Sequence, residues 1–412
     1  MSYFATVTTR PADGGSLDAF SRSRVSQPVN IFDNQFTYNL SPLVFEAIIA
    51  ETGATVTHDA TNRMALMTFA SMPTGGKAYE QSYEFIPYQP GRSQQVFITF
   101  NMNGGVANVL KFAGLSDGNN GIEFQMNGTT PQFTLYSDSG NGDQTVAQSS
   151  WNLDRFDGGS PVTNPSGITL DPSKIQIVAI DLQALYAGRV RVGFDVGGVI
   201  YFVHQFTSAN LITTPYIQTA NLPIRCGMTC TGTVSTTMNF ICCSVSSEGG
   251  VVDVRGRGFT AQGTATAGSG TRTHLLSVRP KTTFNSITNR INFDLDSLQM
   301  VVTGVNPVYW ELCLGQAISG TTTFNDVNAT YSGFEYNTAG TISGSPSLVL
   351  ASGYCASAKD NFTAINKAII NKYPITLNQA GAVRSLGTLS VIVTGIGGTS
   401  ATSGAFNWRE IR

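Results

Sequence analysis

The sequence predicts an all-β protein built from two β-sandwich domains of the jelly-roll or concanavalin-like kind, with an extended N-terminal arm and one short helix in the second domain. Three observations carry this. Short runs of alternating apolar and polar residues recur along the chain, separated by Gly, Asn and Asp clusters, which is the signature of half-buried strands joined by turns. The polar part of the composition is dominated by Gly, Ser, Thr and Asn, and charged residues make up only 12%, so good helix formers are scarce. A chain of 412 residues, 41% of them hydrophobic, also exceeds what one core organises, and two domains follow.

Residues 1–30 read as an arm, because Pro28 keeps the segment from pairing as a central strand. The first sandwich spans 31–250. QVFITFNMN at 95–103, NVLKFAGL at 108–115, GIEFQMNG at 121–128 and PQFTLYSDSG at 131–140 are strands at nearly regular spacing. The plainest element is 174–206, where Val190, Val192, Phe194 and Val196 alternate with Arg189, Arg191, Gly193 and Asp195 before a Gly197-Gly198 hairpin turn. Pairing across that turn sets Phe194 against Tyr201 and Val192 against Val203 on an apolar face. The opposite face then carries Arg189, Arg191, Phe202, His204 and Phe206, a mixed surface suited to a partner.

At 251–272 the composition turns to Gly, Ala and Thr, which reads as a linker. Residues 273–412 return to strand-like runs, LLSVRP, NRINFDLDSLQMVVTG, VYWELCLG and LSVIVTGI, and form the second sandwich. SAKDNFTAINKAIINKYP at 357–374 predicts the helix: Ser357 and Asp360 suit a capping box, Phe362, Ile365 and Ile369 share a stripe, and Pro374 stops it.

The formal net charge is −2, and no run of Lys or Arg follows a phosphate backbone, so neither nucleic acid nor membrane insertion is expected. The N-terminus lacks a charged region followed by an apolar one, and assembly in a cytoplasm without export is the expectation. The six cysteines, two of them adjacent at 242 and 243, are expected to be reduced. Cys226 and Cys230 have a spacing that a zinc site can use, but alternation along a strand makes them core filler, and no metal or cofactor is expected. His58-Asp59 lies at a turn, the three histidines are far apart, and no nucleophile elbow, zinc-protease helix, P-loop or dinucleotide fingerprint occurs. Catalytic residues are therefore expected to be none, and the chain is expected not to be an enzyme.

Two sets of residues invite binding roles. In the arm, Arg22 and Arg24 offer planar donors to one side, while Phe4, Phe20 and Val25 offer apolar surface, a combination suited to docking on another protein. On loops, Tyr136 with Asp138 and Trp151 with Asp154 are candidates for contact with a glycan. Residues 18–33 (DAFSRSRVSQPVNIFD), QSYEFIPYQPGRSQ at 81–94, GRVRVGF at 188–194, NLPIR at 221–225 and CSVSSEGG at 243–250 together resemble a family of virion structural proteins of tailed bacteriophages. The resemblance covers residues 16–250 and implies a head- or tail-attached fibre, decoration or adaptor component. Its partners would be other virion proteins of capsid, neck or tail and further copies of itself, a trimer first among the oligomers. A carbohydrate-binding receptor protein or polysaccharide depolymerase, acting on a host surface glycan, is the alternative.

Overall fold

A computed structural model describes residues 17–18, 20–22, 28–249, 256–357, 361–364 and 373–412. The chain forms two compact units, residues 1–82 with 88–251 and residues 83–87 with 252–412.

Unit 1 is a two-layered antiparallel jelly roll. Its strands are β1 (Val29–Gln35), β2 (Phe45–Ala50), β3 (Ala54–Asp59), β4 (Met64–Met72), β5 (Lys77–Ser82), β6 (Gln94–Asn101), β7 (Val109–Ser116) and β8 (Gly121–Asn127). They are followed by β9 (Thr130–Tyr136), β10 (Gln144–Ala147), β11 (Ile175–Leu182), β12 (Val190–Val196), β13 (Val199–Phe206), β14 (Ile224–Cys230) and β15 (Val234–Ser247). One sheet has the order β13-β12-β11-β6-β15-β4-β3, with β1 added along β15, and the other has the order β10-β9-β8-β7-β14-β5-β2. Neighbours such as β6 with β15 and β7 with β14 are far apart in sequence, so both sheets close by long crossovers. Phe100, Phe124, Phe133, Trp151, Phe156 and Phe194 meet between the layers, with ring centroids 5.1 Å apart for Phe124 and Phe194 and 5.3 Å for Phe133 and Trp151.

The hairpin pairs Val196 with Val199 and Phe194 with Tyr201 as its alternation predicts. Beyond Phe202 the register shifts, so Val192 lies opposite His204 and not opposite Val203. This bulge is the one correction to the hairpin, and it turns His204 and Phe206 toward the side occupied by Val190 and Val192.

Unit 2 comprises β16 (Arg257–Ala267), β17 (Thr273–Pro280), β18 (Thr283–Phe284), β19 (Ile287–Thr288), β20 (Asn292–Val302), β21 (Val308–Leu314) and β22 (Ile318–Gly320). After these come β23 (Asn325–Asp326), β24 (Phe334–Asn337), β25 (Gly340–Ile342), β26 (Leu348–Cys355), β27 (Asn361–Ala364), β28 (Leu389–Gly395) and β29 (Ser400–Ile411). The two main sheets have the orders β16-β29-β20-β27 and β23-β24-β17-β28-β21-β26. Trp408, Trp310, Leu295, Phe334 and Phe406 fill the core between them. Tyr83 and Phe85 belong here: Arg384 lies 3.8 Å over the Tyr83 ring, Arg290 lies 4.4 Å over Phe85, and Asn292 donates to the Phe85 carbonyl at 2.8 Å.

Two expectations about this half are corrected. Residues 257–267, read as linker, are the strand β16, paired along its whole length with β29. Its residues are small because β17 crosses closely underneath: a Cβ on Gly263 would sit 2.4 Å from the Leu275 carbonyl oxygen. The helix of 357–374 is replaced in its described part by β27, whose backbone pairs with Leu298–Val301 of β20 and so satisfies outside the segment the groups a helix would satisfy within it. The flanking residues 358–360 and 365–372 lie outside the described residues. Among the described residues no helix is long and apolar enough to cross a membrane, and all six cysteines are free thiols.

Candidate functional site

The arm and the mixed hairpin face meet each other. Arg191 is fully buried, ion-paired with Asp181 on the neighbouring β11, and stacked 4.2 Å over the Phe202 ring. The same guanidinium donates to the Leu17 carbonyl at 2.6 Å, while Arg189 donates to Ser21 Oγ at 3.0 Å. Arg22 was expected to offer its donors to another protein. Its guanidinium instead pairs with Asp18 at 2.6 Å and lies 4.8 Å over Phe20, so both are engaged inside the segment. Phe4, Arg24 and Val25 lie outside the described residues. Sequence reading found Arg189 and Arg191 but missed that Arg191 pairs with Asp181 on the neighbouring strand and that Asp18 pairs with Arg22 within the segment. His204 accepts the Asn152 backbone N–H on Nδ1 at 3.2 Å and packs 4.6 Å from Phe206; burial pushes its pKa down to about 4, so it is neutral near pH 7.

The loop candidates separate. Trp151 is in the core and donates from Nε1 to the Val146 carbonyl. Asp154 is buried and accepts from the backbone N–H groups of Phe156 and Ser166, holding its own loop. Both are corrected from glycan contacts to structural residues. Asp138 is exposed, whereas Tyr136 is half-buried and its hydroxyl accepts from Gln125 at 2.7 Å.

That hydrogen bond belongs to a polar row on the outward face of the second sheet of unit 1. In register across all seven strands stand Thr145, Thr134, Glu123, Gly114, Arg225, Gln81 and Glu46. Arg225 reaches Glu123 at 3.4 Å and lies 4.8 Å over Tyr79 and 4.9 Å over Phe112. Gln125 donates to Glu123 at 2.9 Å, and Gln132 and Thr134 each donate to Gln125 at 2.8 Å. Such a buried network, satisfied mainly by its own members, rigidifies the sheet and leaves few groups for a ligand.

Unit 2 offers the opposite arrangement. A recess of about 630 Å³ is lined by β16 (Gln262, Thr264), β29 (Ser403, Ala405) and β20 (Gln299, Val301), with Thr338 at its side and backbone of the intervening residues between them. Register places Gln262, Ala405 and Gln299 side by side on adjacent strands, and Thr264, Ser403 and Val301 in the next row. Both glutamines are exposed, and among the described residues neither side-chain amide is hydrogen-bonded within the protein. No lining residue carries a charge. The sequence reading passed over Gln262 because it took the surrounding Thr, Ala and Gly for a linker.

No family model and no curated protein matches this sequence. Among solved structures, the chain is similar to the catalytic domain of an endo-1,3-β-glucanase (laminarinase) from Thermotoga petrophila, at 12% identity and TM-score 0.37 over 55% of this chain and 100% of that one. It is also similar to a Bacillus licheniformis β-glucanase, at 14% identity and TM-score 0.31 over 53% of this chain and 99% of that one. A third is the conserved carbohydrate esterase of the Shiga toxin-encoding bacteriophage phi24B, at 14% identity and TM-score 0.32 over 53% of this chain and 99% of that one. The expectation of a chain without enzymatic activity rested on missing short motifs; it is corrected by these enzymes and dropped. At such identities the likeness is one of fold.

Proposed function

We propose that the chain is a carbohydrate-directed protein whose second unit takes a neutral, hydroxyl-rich ligand in the recess on β16, β29 and β20. The recess itself carries this reading: about 630 Å³, uncharged throughout, with two unengaged amides flanking a small residue. Adjacent strands lie about 4.8 Å apart, so Gln262 and Gln299 stand roughly 10 Å from each other, enough to bracket a pyranose ring with its hydroxyls. An ionic ligand would find no counter-charge there. An apolar one would desolvate the amides and the hydroxyls of Thr264 and Ser403 without replacing their hydrogen bonds, at about 1–3 kcal/mol for each group. A sugar hydroxyl donates and accepts, as the amides do.

The test is titration calorimetry of the full chain with neutral gluco-, manno- and galacto-oligosaccharides of six units, and with a polyuronate for comparison. Loss of two hydrogen bonds near 1 kcal/mol each predicts about 30-fold weaker binding of the neutral ligand by the Gln262→Ala, Gln299→Ala double variant. Unchanged affinity in that variant, or preference for the polyuronate, refutes the reading.

A second reading, attachment to a virion through the N-terminal segment, is favoured by one observation. Arg191 holds the Leu17 carbonyl and Arg189 holds Ser21 Oγ, which fixes these two residues of the N-terminal segment on unit 1. A chain starting at Leu17 that enters particles at the wild-type level would refute it.

A further inference from the structure

Unit 2 also displays aromatic rings on a surface away from that recess. Tyr309 on β21 lies directly opposite Tyr354 on the edge strand β26, with ring centroids 5.2 Å apart and planes inclined by 49°. Tyr354 is 71% exposed, so much of its ring is open to solvent beside Tyr309. Thr394 of β28 follows Tyr309 in the same row, and the next row holds Ser352, Glu311 and Ile392. Glu311 is neutralised by Arg272 at 2.6 Å. Among the described residues, neither phenol hydroxyl nor the hydroxyls of Ser352 and Thr394 are hydrogen-bonded inside the protein.

The rings stand on a rigid base. The residues next to them in sequence, Trp310 and Gly353, face the other side of the sheet, where Trp310 is buried in the core. A Cβ on Gly353 would sit 2.9 Å from the Trp310 ring, so only glycine lets β26 lie this close over the indole. The edge strand that carries Tyr354 is thereby held to the sheet by packing as well as by its ladder.

We propose that Tyr309 and Tyr354 form a stacking platform for a pyranose ring of a neutral saccharide, a site separate from the recess and resting on the same carbohydrate-directed reading. The faces of sugar rings are lined by C–H groups that pack on aromatic faces, and their rims carry hydroxyls. Two inclined phenols with unengaged hydroxyls, flanked by Ser352 and Thr394, present both halves of that complement. A lipid or a purely apolar peptide would leave these four hydroxyls buried without partners.

The experiment uses the full chain and the same neutral hexasaccharides, with the Gln262→Ala, Gln299→Ala background isolating the platform from the recess. In that background Tyr354→Ala should weaken the remaining saccharide binding by tenfold or more. Tyr354→Phe, which keeps the ring, should lose only two- to fivefold. Thermal unfolding of each variant controls for folding. Equal affinity of the Tyr354→Ala variant and its background overturns the platform while leaving the recess standing. Failure of every saccharide to bind the wild-type chain removes the carbohydrate reading together with the platform. A change of sedimentation coefficient in Tyr354→Ala without a change in saccharide affinity would assign the rings to contact between copies and also overturn the proposal.

Discussion

Glu80 is the residue whose substitution tests the core of unit 1 most sharply. It lies on β5 opposite the buried Cys226 of β14 and Ala47 of β2, and is only 1% exposed. Neither of its carboxyl oxygens has a hydrogen-bond partner among the described residues. Burial, with the Glu46 carboxylate adding to it, pushes the pKa up to about 8. The sign follows from linkage: the unfolded chain releases this proton near 4.5 and the folded chain near 8, so stability falls as pH rises between the two. At pH 7 the deficit is about 3 kcal/mol, from 1.36 kcal/mol for each of roughly 2.5 pH units. Glu80→Gln removes the titration while keeping shape and polarity. Urea unfolding read by hydrogen exchange on peptides covering β5 and β14 should show the variant's midpoint raised by about 1–2 M at pH 7 and above, with the difference vanishing below pH 4.5. The same difference at pH 4 and pH 8 would show that the carboxyl is solvated and the reasoning wrong.

Phe194 is fully buried against Phe124, Phe133, Trp151 and Phe156, so Phe194→Ala should destabilise unit 1 by about 3–5 kcal/mol, measured by the same unfolding experiment. Arg191→Met leaves Asp181 buried without its guanidinium and should lower stability by about 3–5 kcal/mol, whereas adding Asp181→Leu should recover most of it; no recovery would mean that the loss comes from the Leu17 contact instead.

What could be read from the sequence was what depends on neighbours along the chain. The β12–β13 hairpin follows from alternation and a Gly-Gly turn, and its pairs near the turn are those expected. The bulge beyond Phe202 is invisible to alternation because it is set by how the strand end packs, not by its residues alone. Trp151 stands between serines and Asn152 and so looks like a loop residue; only the approach of Phe133 and Phe194 makes it core. β16 looks like a linker because close crossing by β17 selects small residues, and small residues are also what linkers contain. The candidate recess was lost with that misreading, since Gln262 lies in the middle of β16.

The low charge content gains meaning from where the cations are engaged. In unit 2, Arg279, Arg290, Arg384 and Arg412 lie 3.8–4.6 Å over the rings of Phe324, Phe85, Tyr83 and Phe284. Arg290 also donates to the carbonyls of Asn378 and Gln379, and Arg272, Arg279 and Arg409 face carboxylates. In unit 1, Arg191 and Arg225 are likewise held by a carboxylate and a ring. Cations so placed act as packing elements, and attraction of an anionic ligand would require breaking contacts that already satisfy them. The proposed saccharide binding would then rest on short-range directional contacts, which discriminate by the positions of hydroxyls and ring faces and are nearly insensitive to salt. A saccharide affinity that held constant between low and high ionic strength would fit this arrangement, whereas a steep decline with salt would place the binding on charges that the structure shows engaged elsewhere.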